Sequence, residues 1–185
     1  MNKKSSLYTK AGDSGETSLV GGQRLLKSDL KIQVYGELDH LNSMIGHLLS
    51  LLEKDSGEEV LTKVQNNLFN LGSLYASAPE DREKYKLKGL DGELIGLIEK
   101  DIDEMDTKLP KLQNFILPGG TNAASWAHLC RTHCRRLERL IVKYETESSD
   151  KVKDSIVFIN RLSDYFFAMA RFINFNKGIT EKIWS

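Results

Sequence analysis

Val34-Tyr-Gly-Glu-Leu-Asp-His-Leu-Asn-Ser-Met-Ile-Gly-His-Leu-Leu-Ser-Leu-Leu52 is the stretch on which the fold turns. Val34, Leu38, Leu41, Ile45, Leu48 and Leu52 recur at steps of three and four, which places them on one stripe of a helix. The spacing predicts a helix over about 29–54, broken by Asp55-Ser-Gly57. The same period continues downstream. Val60, Leu61, Val64, Leu68, Leu71 and Leu74 mark a second helix near 58–78, and Leu94, Leu97, Ile98, Ile102 and Met105 a third over about 91–108. A fourth covers about 121–145, capped by Thr121 or Asn122. After a turn at Glu147-Ser-Ser-Asp150, a fifth covers about 151–177 and stops before Gly178. The segment 79–89 reads as a charged connector and 110–121 as a loop. Residues 1–28 read as irregular, closed by a Gly21-Gly22 turn, and no strand pattern persists. The expected fold is all-α, a five-helix up-and-down bundle in one domain over 1–185. An N-terminal arm (1–28), the bundle (29–177) and a tail (178–185) make up that domain.

Composition bounds the function. The formal net charge of zero speaks against a general nucleic-acid binder. Only three prolines interrupt the chain, which suits long helices. The two cysteines, Cys130 and Cys134, lie one helical turn apart and make a poor disulfide framework, so a reducing cytoplasm is expected. No apolar stretch approaches about 20 residues, so no membrane span is expected. The basic N-terminus lacks the apolar run of a signal peptide.

Three segments carry chemistry. The arm Tyr8-Thr-Lys-Ala-Gly-Asp-Ser-Gly-Glu-Thr-Ser18 combines glycines, hydroxyls and a lysine. Gly12 and Gly15 let backbone N–H groups approach an anion closely. Lys10, Arg24 and Lys27 add positive charge, as a polyphosphate cradle needs. No Gly-Lys-Ser/Thr follows the glycines, so it is not a P-loop. A plain polar arm with turn residues is the other reading. In the fourth helix, Arg131, Arg135 and Arg139 stand four apart on one face with Glu138, opposite an apolar side of Trp126, Leu129, Cys130, Leu137, Leu140, Ile141 and Tyr144. Guanidinium forks match phosphate oxygens, although a solvated basic face has the same pattern. In the fifth helix, Asn160, Ser163, Asp164, Phe167 and Arg171 line up, as either a nucleotide-contacting face or an inter-helix network. Asp39, Asn42, Ser43 and Gly46 form a small polar face on the first helix, suited to close packing against another surface, such as a second subunit. His128, His133, Cys130 and Cys134 lack a second Cys pair or a His-Glu-x-x-His, so no protein-held metal is expected. The cysteines read as core thiols, and His40 and His47 as surface residues.

Together the arm, Phe115-Ile-Leu-Pro-Gly-Gly-Thr121 with Arg131-x-x-x-Arg-Arg-x-Glu-Arg139, and Asn160-Arg-Leu-Ser-Asp-Tyr-Phe166 resemble the ATP:cob(I)alamin adenosyltransferases of the propanediol-utilisation type. Tyr35-Gly-Glu-Leu-Asp39 followed by Leu41-Asn-Ser43 is similar to that family's first helix. The resemblance covers nearly the whole chain. It implies a ferritin-like five-helix bundle, a homotrimer with ATP between neighbouring subunits, and transfer of the 5′-deoxyadenosyl group to cob(I)alamin. It further implies that Thr9, Lys10, Ala11, Gly12, Asp13, Gly15, Thr17, Ser18 and Lys27 wrap the phosphates. Arg135, Glu138, Arg139 and Asn160 would meet the nucleotide, with Arg135, Lys10 and Lys27 catalytic. Phe115 would lie under the corrin ring, and Asp39 would pair with Arg131 across the subunit boundary. Mg²⁺ is expected through the ATP phosphates. A cobalamin reductase and a B12-dependent acceptor enzyme are expected partners. The family usually has glutamate after the aspartate of the first helix, where this chain has His40. The alternative function is a non-catalytic nucleotide- or cobalamin-binding bundle acting as sensor or carrier.

Overall fold

The structure, a computed structural model, describes residues 5, 8, 10–53 and 57–185. The arm is more ordered than its sequence suggests. β1 (Glu16–Ser18) pairs antiparallel with β2 (Arg24–Leu26), Glu16 facing Leu26 and Ser18 facing Arg24. The turn between them needs φ of +97° at Gly21 and +92° at Gly22, a region that glycine enters without strain. Strands of three residues give too little alternation to register as a pattern, which is why the sequence reading missed them. The hairpin is docked: the Val20 amide donates to the Ala76 carbonyl at 2.7 Å. Gly21 packs so tightly on Asp81 that a Cβ would sit 2.1 Å from its Oδ2.

Among the described residues five long helices follow: α1 (Leu30–Leu51), α2 (Glu58–Tyr75), α4 (Leu94–Asp106), α5 (Asn122–Ser148) and α6 (Ser155–Asn176). The 79–89 connector contains a sixth, α3 (Pro79–Lys84). Its signals were present in the sequence: proline at the first position, Glu80 and Asp81 in the first turn, Arg82 and Lys84 in the last. Asp29 caps α1 by accepting from the Lys31 amide at 2.8 Å, and Thr121 caps α5 by accepting from the Ala124 amide at 3.1 Å. The helix expected from 151 begins at Ser155. Asp154 has φ of +60°, and the Val152 amide is taken by Glu145 Oε1 at 3.0 Å.

The apolar stripe of α1 is buried from Val34 through Leu48. It meets the stripes of α2, α5 and α6 in one core that also takes Leu94 and Ile98 of α4. Around that core the neighbours run α1–α2–α4–α6–α5 and back to α1. Spatial order therefore departs from chain order. The link from α4 to α5 must cross the C-terminal end of α6, where Arg171 donates to the Pro110 carbonyl at 2.8 Å. At the other end Glu145 Oε1 accepts from Tyr75 and Ser155 hydroxyls at 2.8 and 2.9 Å. Asp150 Oδ2 accepts from Arg82, Lys31 and Tyr144 at 2.8, 3.2 and 2.7 Å, tying α3, α1 and α5 together. Among the described residues no helix is long and apolar enough to cross a membrane.

Packing corrects several smaller expectations. Leu129 is exposed and not part of the core, whereas His128 and His133 are buried. Asn42 and Gly46 face α2 within the same chain. Asn42 Nδ2 donates to the Gln65 carbonyl at 3.3 Å, and a Cβ on Gly46 would sit 3.5 Å from Gln65 Nε2. Arg171 leaves the polar face of α6 and turns inward to Glu181, with Nε donating at 2.8 Å.

Candidate functional site

The hairpin register carries Lys27 back over the glycine turn. Its amide donates to the Gly15 carbonyl at 2.9 Å, and its Nζ would lie 3.1 Å from a Cβ on Gly12. Two overlapping reverse turns precede it, Asp13 N to Lys10 O at 3.3 Å and Gly15 N to Gly12 O at 3.2 Å. Lys10 and Gly15 hold positive φ of +61° and +86°. Arg24 braces the turn by donating to Glu16 and to the Ala11 carbonyl, both at 3.1 Å. Lys10, Ala11, Gly12, Asp13, Gly15, Thr17, Ser18 and Lys27 thus share one compact hairpin, while Thr9 lies outside the described residues. Amide groups in such turns, with an ammonium beside them, form a concavity suited to anionic oxygen.

A second group lies between α5 and α6. Asn160 Nδ2 donates to Glu138 Oε1 at 3.0 Å. The inter-helix network is therefore real, and its partner is another of the expected nucleotide residues. Arg135 and Arg139 are exposed on the same helix as Glu138. Arg131 is half-buried, its guanidinium 6.0 Å from the Phe167 ring centre, with Nε buried and, among the described residues, unpartnered. Burial, and after it the charge of Arg135, holds its pKa below the usual value. Asp39 is exposed on α1, and among the described residues no ion pair joins it to Arg131.

Phe115 is 79% exposed, on the loop that crosses α6. The C-terminal tail is paired to that loop, a contact that sequence reasoning missed. The Trp184 amide donates to the Phe115 carbonyl and the Leu117 amide to the Lys182 carbonyl, both at 2.8 Å. The Phe115 and Trp184 rings meet edge to face, 6.3 Å between centres. Phe115, Leu117, Ile183 and Trp184 leave an exposed apolar patch, suited to a broad, flat apolar ligand face. Asn174, another residue sequence reasoning missed, fixes the loop from below. Its Oδ1 accepts from the Thr121 amide at 3.0 Å and its Nδ2 donates to the Gly119 carbonyl at 2.9 Å.

No activated nucleophile emerges from the cysteines. Both are buried free thiols, and burial pushes Cys130 up to about 12 and Cys134 well above its ordinary value.

Comparison with known proteins places this geometry. The family model for cobalamin adenosyltransferase matches residues 7–173. A corrinoid adenosyltransferase of Bacillus subtilis is 43% identical over 178 residues, covering 94% of this chain and 89% of that protein. The human corrinoid adenosyltransferase MMAB is 35% identical, covering 96% of this chain and 72% of that protein. Among solved structures, a variant PduO-type ATP:corrinoid adenosyltransferase from Lactobacillus reuteri, complexed with cobalamin and ATP, superposes with a TM-score of 0.89 at 38% identity. It covers 96% of this chain and 98% of its own. With the family model matched over residues 7–173 and relatives above 30% identity covering nearly its whole length, the chain belongs to the cobalamin adenosyltransferase family.

Proposed function

We propose that this protein transfers the 5′-deoxyadenosyl group of ATP to cob(I)alamin, giving adenosylcobalamin and triphosphate. The observation that carries the reading is the Lys27 ammonium held over the Gly12–Gly15 turn, an anion cradle in a member of this family. In the reaction the cobalt(I) centre supplies an electron pair to C5′ and a Co–C bond forms. The C5′–O bond breaks and its pair leaves with the triphosphate. The protein therefore needs no general base, and the buried, protonated thiols fit that requirement. Its tasks are to align the reactants and to stabilise charge on the leaving group. Lys10, Lys27, Arg135 and Arg139 are assigned to that charge, with Mg²⁺ arriving as part of the MgATP substrate. The hairpin amides from Ala11 to Ser18, with Thr9, hold the phosphates. Glu138 and Asn160 orient the nucleoside, and Phe115 sits against the corrin face.

The hairpin rests on the α2–α3 junction, whereas Glu138 and Asn160 lie between α5 and α6. That division supports ATP lying between two copies, the arm of one meeting the arginine helix of the next, in a homotrimer. Cob(I)alamin must come from a reductase and the product must go to a B12-dependent enzyme. The two free, buried thiols suit a reducing cytoplasm.

The test is an anaerobic assay with chemically reduced cob(I)alamin and MgATP, identifying both products. Adenosylcobalamin with triphosphate supports the transferase, and ATP binding without turnover would favour a sensor or carrier. Arg135→Ala should lower turnover by about 100-fold or more, the scale of losing one donor to a developing negative charge. Near-normal turnover in a folded variant would remove Arg135 from its role.

A further inference from the structure

Glu37, His40 and His133 form a cluster that the transfer reaction does not use. Glu37 and His40 stand three apart on α1 and so project from one face, while His133 reaches them from α5. One ligand atom from each can be chosen so that all three lie within 4.8 Å of one another. His133 Nε2 is 3.2 Å from Glu37 Oε2 and 3.0 Å from the Glu37 carbonyl oxygen. The two imidazoles meet edge to face with centres 4.5 Å apart. Glu37 Oε2 is buried and, among the described residues, accepts no hydrogen bond. Its other oxygen accepts from Arg136 Nη2 at 2.6 Å, which fixes the carboxylate with the free oxygen turned to His133.

We propose that Glu37, His40 and His133 form a site for a divalent transition-metal ion of the zinc class. Two imidazole nitrogens and one carboxylate oxygen are the donors such borderline ions favour, and three protein ligands leave a fourth position for water. Ligand atoms about 2.0–2.2 Å from a tetrahedral ion stand roughly 3.3–3.6 Å apart. The His133–Glu37 spacing of 3.2 Å is close to that already. In the ion-free chain His133 Nε2 faces two oxygen acceptors and so carries the ring proton; the ion takes that proton's place, and the ring keeps its one proton on Nδ1. Arg136 acts as the outer partner that orients a ligating carboxylate. His40, exposed beside the helix, completes the set by a side-chain rotation that leaves the backbone in place. The site is separate from the Mg²⁺ that accompanies ATP, whose ligands are phosphate oxygens.

Tag-free, full-length protein, stripped with a chelator and dialysed, is titrated with Co²⁺ in the absence of ATP and cobalamin. The expected result is saturable binding at one ion per chain, with the visible bands of a tetrahedral nitrogen–oxygen site and displacement by Zn²⁺. His40→Ala removes an exposed side chain and should leave the fold intact by circular dichroism. It should weaken binding by at least about 10-fold, since even the partners of metal ligands are worth about 10–100-fold. Glu37→Gln should do the same. Binding that is absent or non-stoichiometric would overturn the site, as would binding unchanged in His40→Ala. So would an intense near-ultraviolet thiolate band, which would assign the ion to Cys130 or Cys134. None of these outcomes depends on adenosyl transfer, so the metal site and the proposed reaction stand or fall separately.

Discussion

His128 shows what burial does to a single titratable side chain. The residue is 5% exposed, and its Nδ1 is buried without a partner among the described residues. Desolvation first, and the charge of Arg131 second, lowers its pKa from 6.5 to about 4. The unfolded ring takes a proton near its ordinary value, whereas the folded ring resists until about pH 4. In that window the unfolded state binds more protons, so acid favours unfolding. The stabilising contribution is complete above about pH 6.5 and is lost as pH falls through about 4, on the order of 2–3 kcal/mol. Denaturant midpoints measured from pH 7.5 down to 4 should fall for the native chain. The slope should be shallower in His128→Gln, and an unchanged slope would show that other groups carry the acid sensitivity.

The element that carries Phe115 is the loop before α5, and glycine holds its shape. Gly120 has φ of +106°, and a Cβ there would lie 2.1–2.5 Å from the Asn174 side-chain atoms. Those atoms hold Thr121 and Gly119. Gly120→Ala should therefore cost the strain of a left-handed residue, about 1–2 kcal/mol, and loosen two hydrogen bonds worth about 1 kcal/mol each. Because the same loop carries Phe115 and pairs with the tail, its KM for cob(I)alamin should rise while its KM for ATP stays close to native. Equal rises in both would mean that the loop does not belong to the corrin site. How far such elements can be read from sequence depends on the range of the forces that make them. The Val34–Leu48 stripe repeats locally over five positions, so α1 was legible. Thr121 as a cap was legible because its partner is three residues away. The Trp184–Phe115 pairing was not, since it joins residues far apart by backbone bonds that leave no periodic mark. Asn174 looks like any polar residue at a helix end until the loop folds over it. The glycine arm was legible as a run of turn residues but not as a hairpin, because three-residue strands carry almost no pattern.

At the scale of the whole molecule, Arg131 poses a charge problem that a lone chain leaves unsolved. Its guanidinium is half-buried, its Nε has no acceptor among the described residues, and Arg135 adds like charge nearby. An arginine can bear that cost when a carboxylate meets it on assembly, and Asp39 is exposed on α1. In the proposed trimer the Asp39 of one copy supplies the acceptor to Arg131 of its neighbour, between the arm and the arginine helix that share ATP. Asp39→Ala should leave the helical content unchanged, since the side chain is exposed. It should nevertheless cost each contact about 3–5 kcal/mol if the pair is buried, because a desolvated charge is left unpaired. Sedimentation across a dilution series should then show the native chain as a trimer and the variant dissociating at higher concentration, with ATP affinity falling in parallel. Restoring charge complementarity by the swap Asp39→Arg with Arg131→Asp should recover part of the assembly. A native chain that sediments as a monomer while binding ATP tightly would break the link between the trimer and the site, and leave Arg131 to a ligand phosphate instead.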